Sequence, residues 1–194
     1  MKLIVGLGNV GREYENTRHN AGWQVLGRLA SKHSISIKRK HIAGRRLVAL
    51  YEDCKLGNVL VRLMLPQTMM NLSGDAFSKT DEWGLKKSDM LIVYDDINLP
   101  AGSLRIRETG GDGGHHGLAS CIQSLGSDEV PRLRVGIGPE IIPDDLTEFV
   151  LMPFENKERK IVDEALARAV LACELWAKEG IQAAMNKINP RERK

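Results

Sequence analysis

Cysteine, proline and aromatic residues are scarce in this sequence of 194 residues, which contains 3 Cys, 7 Pro and 5% aromatic residues. Cys54, Cys121 and Cys173 are an odd number, lie far apart and form no C-x-x-C pair. This pattern argues against a disulfide framework and against a cysteine-rich zinc site. We expect the three cysteines to be small core residues.

Long apolar runs are also lacking. No segment approaches the roughly 20 apolar residues that a membrane-spanning helix needs, and MKLIVGLG enters a strand pattern without the features of a secretory signal peptide. A composition of 42% hydrophobic and 27% charged residues is typical of a globular domain. We expect a cytoplasmic protein without a membrane partner and a single domain over residues 1–194, with a flexible basic tail at 188–194.

The net charge of +3 says little by itself, but the basic residues are clustered. One cluster comprises Lys38, Arg39, Lys40, Arg45 and Arg46, and others are Arg105 with Arg107, Arg132 with Arg134, and the final RERK. A single cluster of this kind usually forms a solvated surface. Several on an otherwise balanced chain favour a polyanionic partner.

Apolar runs typical of buried strands alternate with helical patterns along the chain. The predicted strands are 3–7, 58–65, 90–96 and 133–138. The predicted helices are 21–32, 71–83, 117–125, 155–178 and 180–187. SLRIR at 103–107 alternates apolar and basic residues, which predicts an exposed antiparallel strand. The pattern as a whole predicts an α/β fold, a single domain with a mixed, mostly parallel twisted sheet and helices on both faces.

Polar residues follow three of these strands, at the edge where an open α/β sheet binds its ligands. The first strand leads to Asn9 and to a loop that reaches His19, the second leads to PQTMMN, and the third ends with Asp95 and Asp96. These groups are therefore expected to converge.

The glycines of GLGNVG have the spacing of a dinucleotide-binding fingerprint. That fingerprint needs a helix directly after its glycines and an acidic residue about 20 positions further on. Here a polar stretch follows, the first helical pattern begins only near Ala21, and no suitable acid is present. We therefore expect no nucleotide cofactor.

His19 and Asp95 are candidates for a general base and the carboxylate that orients it. A hydrogen-bonded structural histidine is the alternative for His19, whereas His33 and His41 lie in a basic stretch that we expect to be exposed. Asp95 with Asp96 could instead bind magnesium, although no third acid follows at a matching strand end.

Two further motifs offer groups for a substrate. In PQTMMNLSG, Asn71 is either a helix N-cap or a donor and acceptor for an amide or carbonyl, and exposed Met69 and Met70 would form an adaptable apolar platform. ETGGDGGHHGLAS is either a mobile loop or a backbone cradle for phosphate at a helix N-terminus, with His115 and His116 as additional donors.

Five motifs together resemble those of bacterial peptidyl-tRNA hydrolases over nearly the whole chain. They are GLGNVGREYENTRHNAGW, PQTMMNLSG, LIVYDDINLPAGSLRIR, GGDGGHHGLASCI and PRLRVGIG, in the order and at the spacing of that family. The resemblance implies a monomeric enzyme without cofactor or metal. Such an enzyme hydrolyses the ester between a peptide and the 3′ ribose of tRNA.

The resemblance also implies residue roles. His19 would activate water, Asp95 would orient His19, and Asn9 and Asn71 would bind the peptide main chain and the ester carbonyl. The implied tRNA-binding or substrate-binding residues are Tyr14, Met69, Met70, Asn71, His115 and His116, with Arg107 and Arg132 as phosphate ligands.

The sequence departs from the family pattern at three positions. Val10 stands where proline is usual, Met69 where tyrosine is usual, and His116 where asparagine is usual. A competing hypothesis is an RNA-binding homologue that has lost catalysis, and a third is a metal-dependent phosphoesterase using Asp95 and Asp96. His19, Asp95, Asn9 and Asn71 are all retained, which favours an active enzyme.

Overall fold

The structure, a computed structural model, describes residues 1–139, 141 and 143–189. Its strands are β1 (Lys2–Gly6), β2 (Arg39–Ala43), β3 (Arg46–Leu56), β4 (Val59–Pro66), β5 (Met90–Pro100), β6 (Leu104–Arg107) and β7 (Arg132–Gly138). Its α-helices are α1 (Ala21–Lys32), α2 (His116–Leu125), α3 (Leu146–Leu151), α4 (Asn156–Glu179) and α5 (Ile181–Ile188). No helix in the described part of the chain is long and apolar enough to cross a membrane.

All seven strands form one sheet in the order β2-β3-β4-β1-β5-β7-β6. The four central strands are parallel, while β2 and β3 at one edge and β6 at the other are antiparallel to their neighbours. The predicted mixed sheet and the antiparallel strand at 103–107 are confirmed, and the parallel pairings, three of the six, lie at the centre of the sheet. The carboxyl ends of β1, β4 and β5 therefore meet at one edge of the sheet.

Apolar cores lie on both faces of the sheet, as predicted. On one face α1, α4 and α5 bury residues such as Leu26, Leu166 and Trp176. On the other face α2 and the segment after β4 bury Phe77 and Leu118. Cys121 and Cys173 belong to these cores, whereas Cys54 is only partly buried.

The predicted helix 71–83 is wrong. The chain instead forms a 3₁₀ segment, Met70–Phe77, followed by turns up to residue 84. Leu72 has non-helical backbone angles, and a Cβ on Gly74 would lie 2.3 Å from the carbonyl oxygen of Ser120. Close packing of this segment against α2 thus outweighs its helical pattern.

The basic stretch after α1 was not predicted to be structured, but it forms the hairpin of β2 and β3. His41 is only 2% exposed, which contradicts the expectation that it is exposed. His33 is half-buried, with Nε2 2.7 Å from a carboxylate oxygen of Glu174. The edge strand β2 buries few of its side chains, and the neighbours of His41 in the sequence are charged. The alternation of apolar and polar residues that marks a strand is therefore hard to recognise here.

The predicted tail at 188–194 is wrong at its start. Ile188 ends α5, and the side-chain amide of Asn189 donates to the Ile106 carbonyl oxygen and accepts from the Ile106 N–H, at 3.0 and 2.7 Å. Residues 190–194 lie outside the described residues. The end of α5 is therefore attached to the edge strand β6.

Candidate active site

Polar residues from the ends of β1 and β4 and from within β5 line one cleft of about 540 Å³. This cleft contains Asn9, His19, Asn71 and Asp95, as the strand order predicted. The loop before α2 contributes His115 from the same face of the sheet. Convergence at the carboxyl edge of the parallel strands is thus confirmed.

Asp95 lies between two histidines at the base of the cleft. Its carboxylate is 2% exposed, with Oδ2 2.9 Å from Nδ1 of His19 and Oδ1 3.0 Å from Nε2 of His115. Burial alone would raise the pKa of Asp95, but electrostatic attraction and hydrogen bonds from His115 and His19 outweigh it and hold the pKa below its usual range. Asp95 is therefore an ionised acceptor for both rings.

The hydrogen bonds assign the proton positions that both rings have in their neutral forms. Nδ1 of His115 accepts from the N–H of Leu118 at 3.0 Å, so its Nε2 carries the proton that is donated to Asp95. His19 likewise donates from Nδ1, which leaves the lone pair of its Nε2 free for a ligand in the cleft. This is the tautomer that a general base requires.

Hydrogen bonds from its neighbours engage the backbone and the side-chain oxygen of Asn9 but not its side-chain Nδ2 group. Its Oδ1 accepts from the N–H of Met70 at 2.7 Å, and its backbone exchanges two hydrogen bonds with the side-chain amide of Asn20 at 2.8 and 3.0 Å. The Nδ2 group of Asn9 forms no hydrogen bond with any described residue. This donor is available to a ligand carbonyl, and the buried Asn20, which sequence reasoning missed, fixes its position.

The first helical segment after β7, α3, was also missed. It supplies Leu146, Thr147, Val150 and Leu151 to an apolar wall of the cleft. The one sequence signal for this short helix is its N-cap residue. The side chain of Asp145 accepts from the N–H of Glu148 at 2.9 Å.

Arg18 attaches this wall to the loop that carries His19. Its guanidinium is buried, donates to the carbonyls of Phe149, Met152 and Pro153 and forms an ion pair with Glu158 at 2.7 Å. Sequence reasoning missed Arg18 because its acceptors are distant backbone carbonyls.

The model of the family described as peptidyl-tRNA hydrolase matches residues 3–194. The chain belongs to the peptidyl-tRNA hydrolase family. A curated peptidyl-tRNA hydrolase of Syntrophomonas wolfei is 42% identical over 97% of this chain and 100% of the relative. That of Carboxydothermus hydrogenoformans is 43% identical over 97% and 98%.

Solved structures agree with this assignment. The crystal structure of peptidyl-tRNA hydrolase from Acinetobacter baumannii superposes with a TM-score of 0.87 at 32% identity, covering 97% of this chain and 94% of that one. The Arg119Gln mutant of the same enzyme gives the same TM-score at 33% identity and the same coverage. The family thus accounts for both sequence and fold.

The glycines after β1 lack the helix that a dinucleotide fingerprint needs directly behind them. Gly11 is followed by a short 3₁₀ segment, and α1 begins only at Ala21. No helix N-terminus therefore faces a pyrophosphate behind these glycines. The segment serves this peptidyl-tRNA hydrolase fold by carrying Asn9 and His19.

The predicted substrate-binding residues of this family member occupy different environments. Met69, Asn71 and His116 are exposed at the cleft, whereas Met70 is 4% exposed and packs beneath it. Tyr14 lies in the 3₁₀ segment Arg12–Tyr14 and does not line the cleft. Met70 therefore contributes mainly its backbone N–H, which holds Asn9.

The two arginines predicted to bind phosphate differ in their exposure to solvent. Arg107 is exposed on β6, but Arg132 is 2% exposed and donates to the carbonyls of Val130, Asp128, Gly110 and Gly111. A guanidinium surrounded by its own backbone acceptors cannot contact a phosphate, so the prediction for Arg132 is wrong in this structure. Arg132 instead holds the start of the glycine-rich loop.

The hydrogen bonds of Asp96 do not favour the alternative of a magnesium site at Asp95 and Asp96. One of its oxygens accepts from Nε of Arg134, and the other accepts from the N–H of Asn98 at 2.8 Å. A different trio, His19, Asp95 and His115, offers ligand atoms within 4.8 Å of one another. A metal there would replace the protons of the two His–Asp hydrogen bonds, so the expectation of no metal stays a prediction.

Proposed function

We propose that this member of the peptidyl-tRNA hydrolase family hydrolyses the ester between an N-blocked peptide and the 3′ ribose of tRNA, with His19 as the general base. The observation that carries the proposal is the Asp95–His19 hydrogen bond, which leaves Nε2 of His19 unprotonated toward the cleft. An ester needs a positioned base and amide donors for the developing oxyanion, and the cleft provides both kinds of group.

The reaction needs no group beyond those of the chain and water. Nε2 of His19 takes a proton from water as the water oxygen attacks the ester carbonyl. Asp95 stabilises the imidazolium, and the Nδ2 donor of Asn9 stabilises the oxyanion. The C–O bond to the ribose then breaks, and the imidazolium returns the proton to the ribose oxygen. The products are the free peptide acid and tRNA.

The surroundings of the cleft suggest how the two parts of the substrate lie. The apolar wall formed by α3 suits a peptide. Asn71, Met69, His115 and His116 also line the cleft, and there we place the acceptor end of tRNA, with Tyr14 and Arg107 as outer contacts. Arg134 replaces Arg132 in this proposal, since its side chain is 23% exposed on the strand next to β6.

The proposal also includes a monomer that works in the cytoplasm, where the ribosome produces peptidyl-tRNA, without a metal or other cofactor. Sedimentation of the purified protein tests the monomer. Chelator treatment tests the metal, since the His19, Asp95 and His115 trio has ligand-type atoms.

The deciding experiment compares wild type, His19→Ala and His33→Ala on peptidyl-tRNA and on unblocked aminoacyl-tRNA, with and without a chelator. We expect wild type and His33→Ala to release peptide from the blocked substrate only and regardless of chelator. His19→Ala is expected to lose about 10²–10⁴-fold in kcat, which is the usual contribution of a general base.

Two other results would contradict the proposal. Binding of tRNA without release by wild type would support an RNA-binding homologue, and Met69 and His116 would be the first positions to revert to the family pattern. Loss of activity in the chelator would indicate a metal-dependent reaction.

A further inference from the structure

The hairpin of β2 and β3 carries basic residues that the proposed reaction does not use. They are exposed, and they are Lys38, Arg39, Lys40, Arg45 and Arg46. The hairpin forms the edge of the sheet opposite β6, the strand that carries Arg107. It therefore offers positive charge on the other side of the cleft.

The tip of this hairpin extends past the end of β4, where the cleft begins. Ala49 of β3 pairs with Pro66, the last residue of β4, and the N–H of Gln67 donates to the carbonyl of Val48 at 2.8 Å. The three residues of β3 that precede Ala49 add about 10 Å at the usual rise of a strand. The turn formed by Gly44, with a φ of 60°, and Arg45 thus lies beyond the carboxyl edge of the sheet.

Contacts on both sides of the turn fix the hairpin to the segment that carries Asn71. Nη1 of Arg46 lies 3.4 Å from a carboxylate oxygen of Asp75 in the 3₁₀ segment. On β2, the buried ring of His41 lies 5.3 Å from that of Trp83, and its Nε2 is 3.3 Å from Oγ of Ser78. The tip is therefore held beside one wall of the cleft.

Part of the positive charge on the hairpin is not neutralised. Arg39 pairs with Glu52 at 2.9 Å, and Arg46 pairs with Asp75. Lys40 and Arg45 form no ion pair with any residue in the described ranges. Two unpaired cations near a cleft edge raise the local concentration of a polyanion.

We infer that the hairpin, through Lys40 on β2 and Arg45 in its turn, binds phosphates of the tRNA backbone on the side of the cleft away from Arg107. The inference rests on the proposed function, because it takes tRNA as the molecule that enters the cleft. A nucleic acid that passes Asn71 in this direction meets the tip next, since Arg46 and Asp75 join the two structures. The contact is to phosphates and is independent of base sequence.

The test replaces both unpaired cations by neutral side chains of similar length, in Lys40→Gln/Arg45→Gln. The matched control, Lys160→Gln/Arg168→Gln, removes two exposed cations from α4. This helix packs on the face of the sheet opposite the 3₁₀ segment that the hairpin contacts. A charge-preserving variant, Lys40→Arg/Arg45→Lys, and thermal melting of all variants detect effects on folding. Substrates are peptidyl-tRNA and an N-blocked aminoacyl ester of adenosine, which has no phosphate.

For the hairpin variant we expect KM for peptidyl-tRNA to rise roughly tenfold, with kcat unchanged. The slope of log KM against log salt should decrease by about 2, one for each lost phosphate contact. The adenosine ester should be hydrolysed as by wild type. The control pair and the charge-preserving pair should match wild type on both substrates.

Equal KM values and salt slopes in wild type and the hairpin variant would overturn the inference. An equal rise in KM for the adenosine ester would also overturn it, because the defect would then lie in the cleft. If wild type hydrolyses neither substrate, the proposed function fails, and the inference about the hairpin is then tested by measuring the affinity for tRNA directly. Weaker and less salt-dependent tRNA binding by the hairpin variant would support the inference, and unchanged binding would reject it.

Discussion

Two loops hold Asp95 from opposite sides, and they are built differently. The loop before α1, residues 9–20, is anchored by buried side chains: Asn20 bonds both backbone groups of Asn9, and Arg18 bonds three distant carbonyls. The loop before α2 is anchored at its two ends, where Arg132 bonds the carbonyls of Gly110 and Gly111 and where His115 bonds Asp95.

The tip of the second loop has open space around it. A Cβ on Gly111, Gly113 or Gly114 would meet nothing within 4 Å, and the last two glycines have positive φ angles of 61° and 83°. Few packing contacts allow such a segment to open at low free energy. His19, the proposed base, is therefore held in place, while the glycine-rich wall of the cleft has room to adapt.

The largest expected effect comes from breaking the anchor of the first loop with Arg18→Ala. The change removes the buried ion pair with Glu158, the guanidinium hydrogen bonds to three carbonyls and a guanidinium 4.2 Å from the ring of Phe149. Loss of one partner of a buried pair typically costs about 3–5 kcal/mol. Urea denaturation should show a decrease of this size in the free energy of unfolding.

Arg28→Ala is the matched control for that variant, because Arg28 also pairs with a carboxylate, Asp163, but on the surface. Exposed pairs contribute about 0–1 kcal/mol. A similar loss of stability in both variants would show that the contacts of Arg18 do not anchor the loop.

A smaller effect is expected from Asn20→Ala, which leaves the N–H and C=O of Asn9 unpaired in a buried site. Unsatisfied groups of this kind cost about 2–3 kcal/mol in stability. Since the displacement would remove the proposed hydrogen bond from Asn9 to the ester carbonyl, kcat should fall by about 10²-fold. Steady-state kinetics and urea denaturation check both values.

Asn16→Ala, at an exposed position of the same loop, should leave both properties of the enzyme unchanged. Normal kcat in Asn20→Ala would mean that Asn9 keeps its position without this support.

The smallest effect is expected on the open loop, from Gly113→Ala. A side chain at a φ of 61° costs about 1 kcal/mol, without any clash in the open space around it. Gly126→Ala at the end of α2 has the same cost, since its φ is 62° and its surroundings are also open. Thermal melts should therefore show equal losses for the two variants.

Only Gly113→Ala should change KM for peptidyl-tRNA, because Gly113 lines the cleft and Gly126 does not. Equal KM values for the two variants would show that the loop tip does not contact the substrate.

The sequence predicted the central parallel strands and the meeting of Asn9, His19, Asn71 and Asp95. These predictions rest on local patterns and on a general rule, since the carboxyl ends of parallel strands share one edge. The edge strand β2 escaped prediction because it buries few side chains, and α3 escaped because six residues show too little periodicity.

What the sequence by itself determined is the family, the central strands and the residues available at their ends. Only the tertiary structure decided which of two arginines on β7 is fully buried, since Arg132 donates to backbone carbonyls whereas Arg134 pairs with Asp96 and stays partly exposed. It also decided the tautomer of His115, the support of Asn9 by Asn20 and the location of the basic hairpin beside the cleft. The tautomer of His115 is set by the nearby N–H of Leu118 together with Asp95. The other features depend on contacts between separate segments of the chain, and local sequence does not specify which donor meets which acceptor.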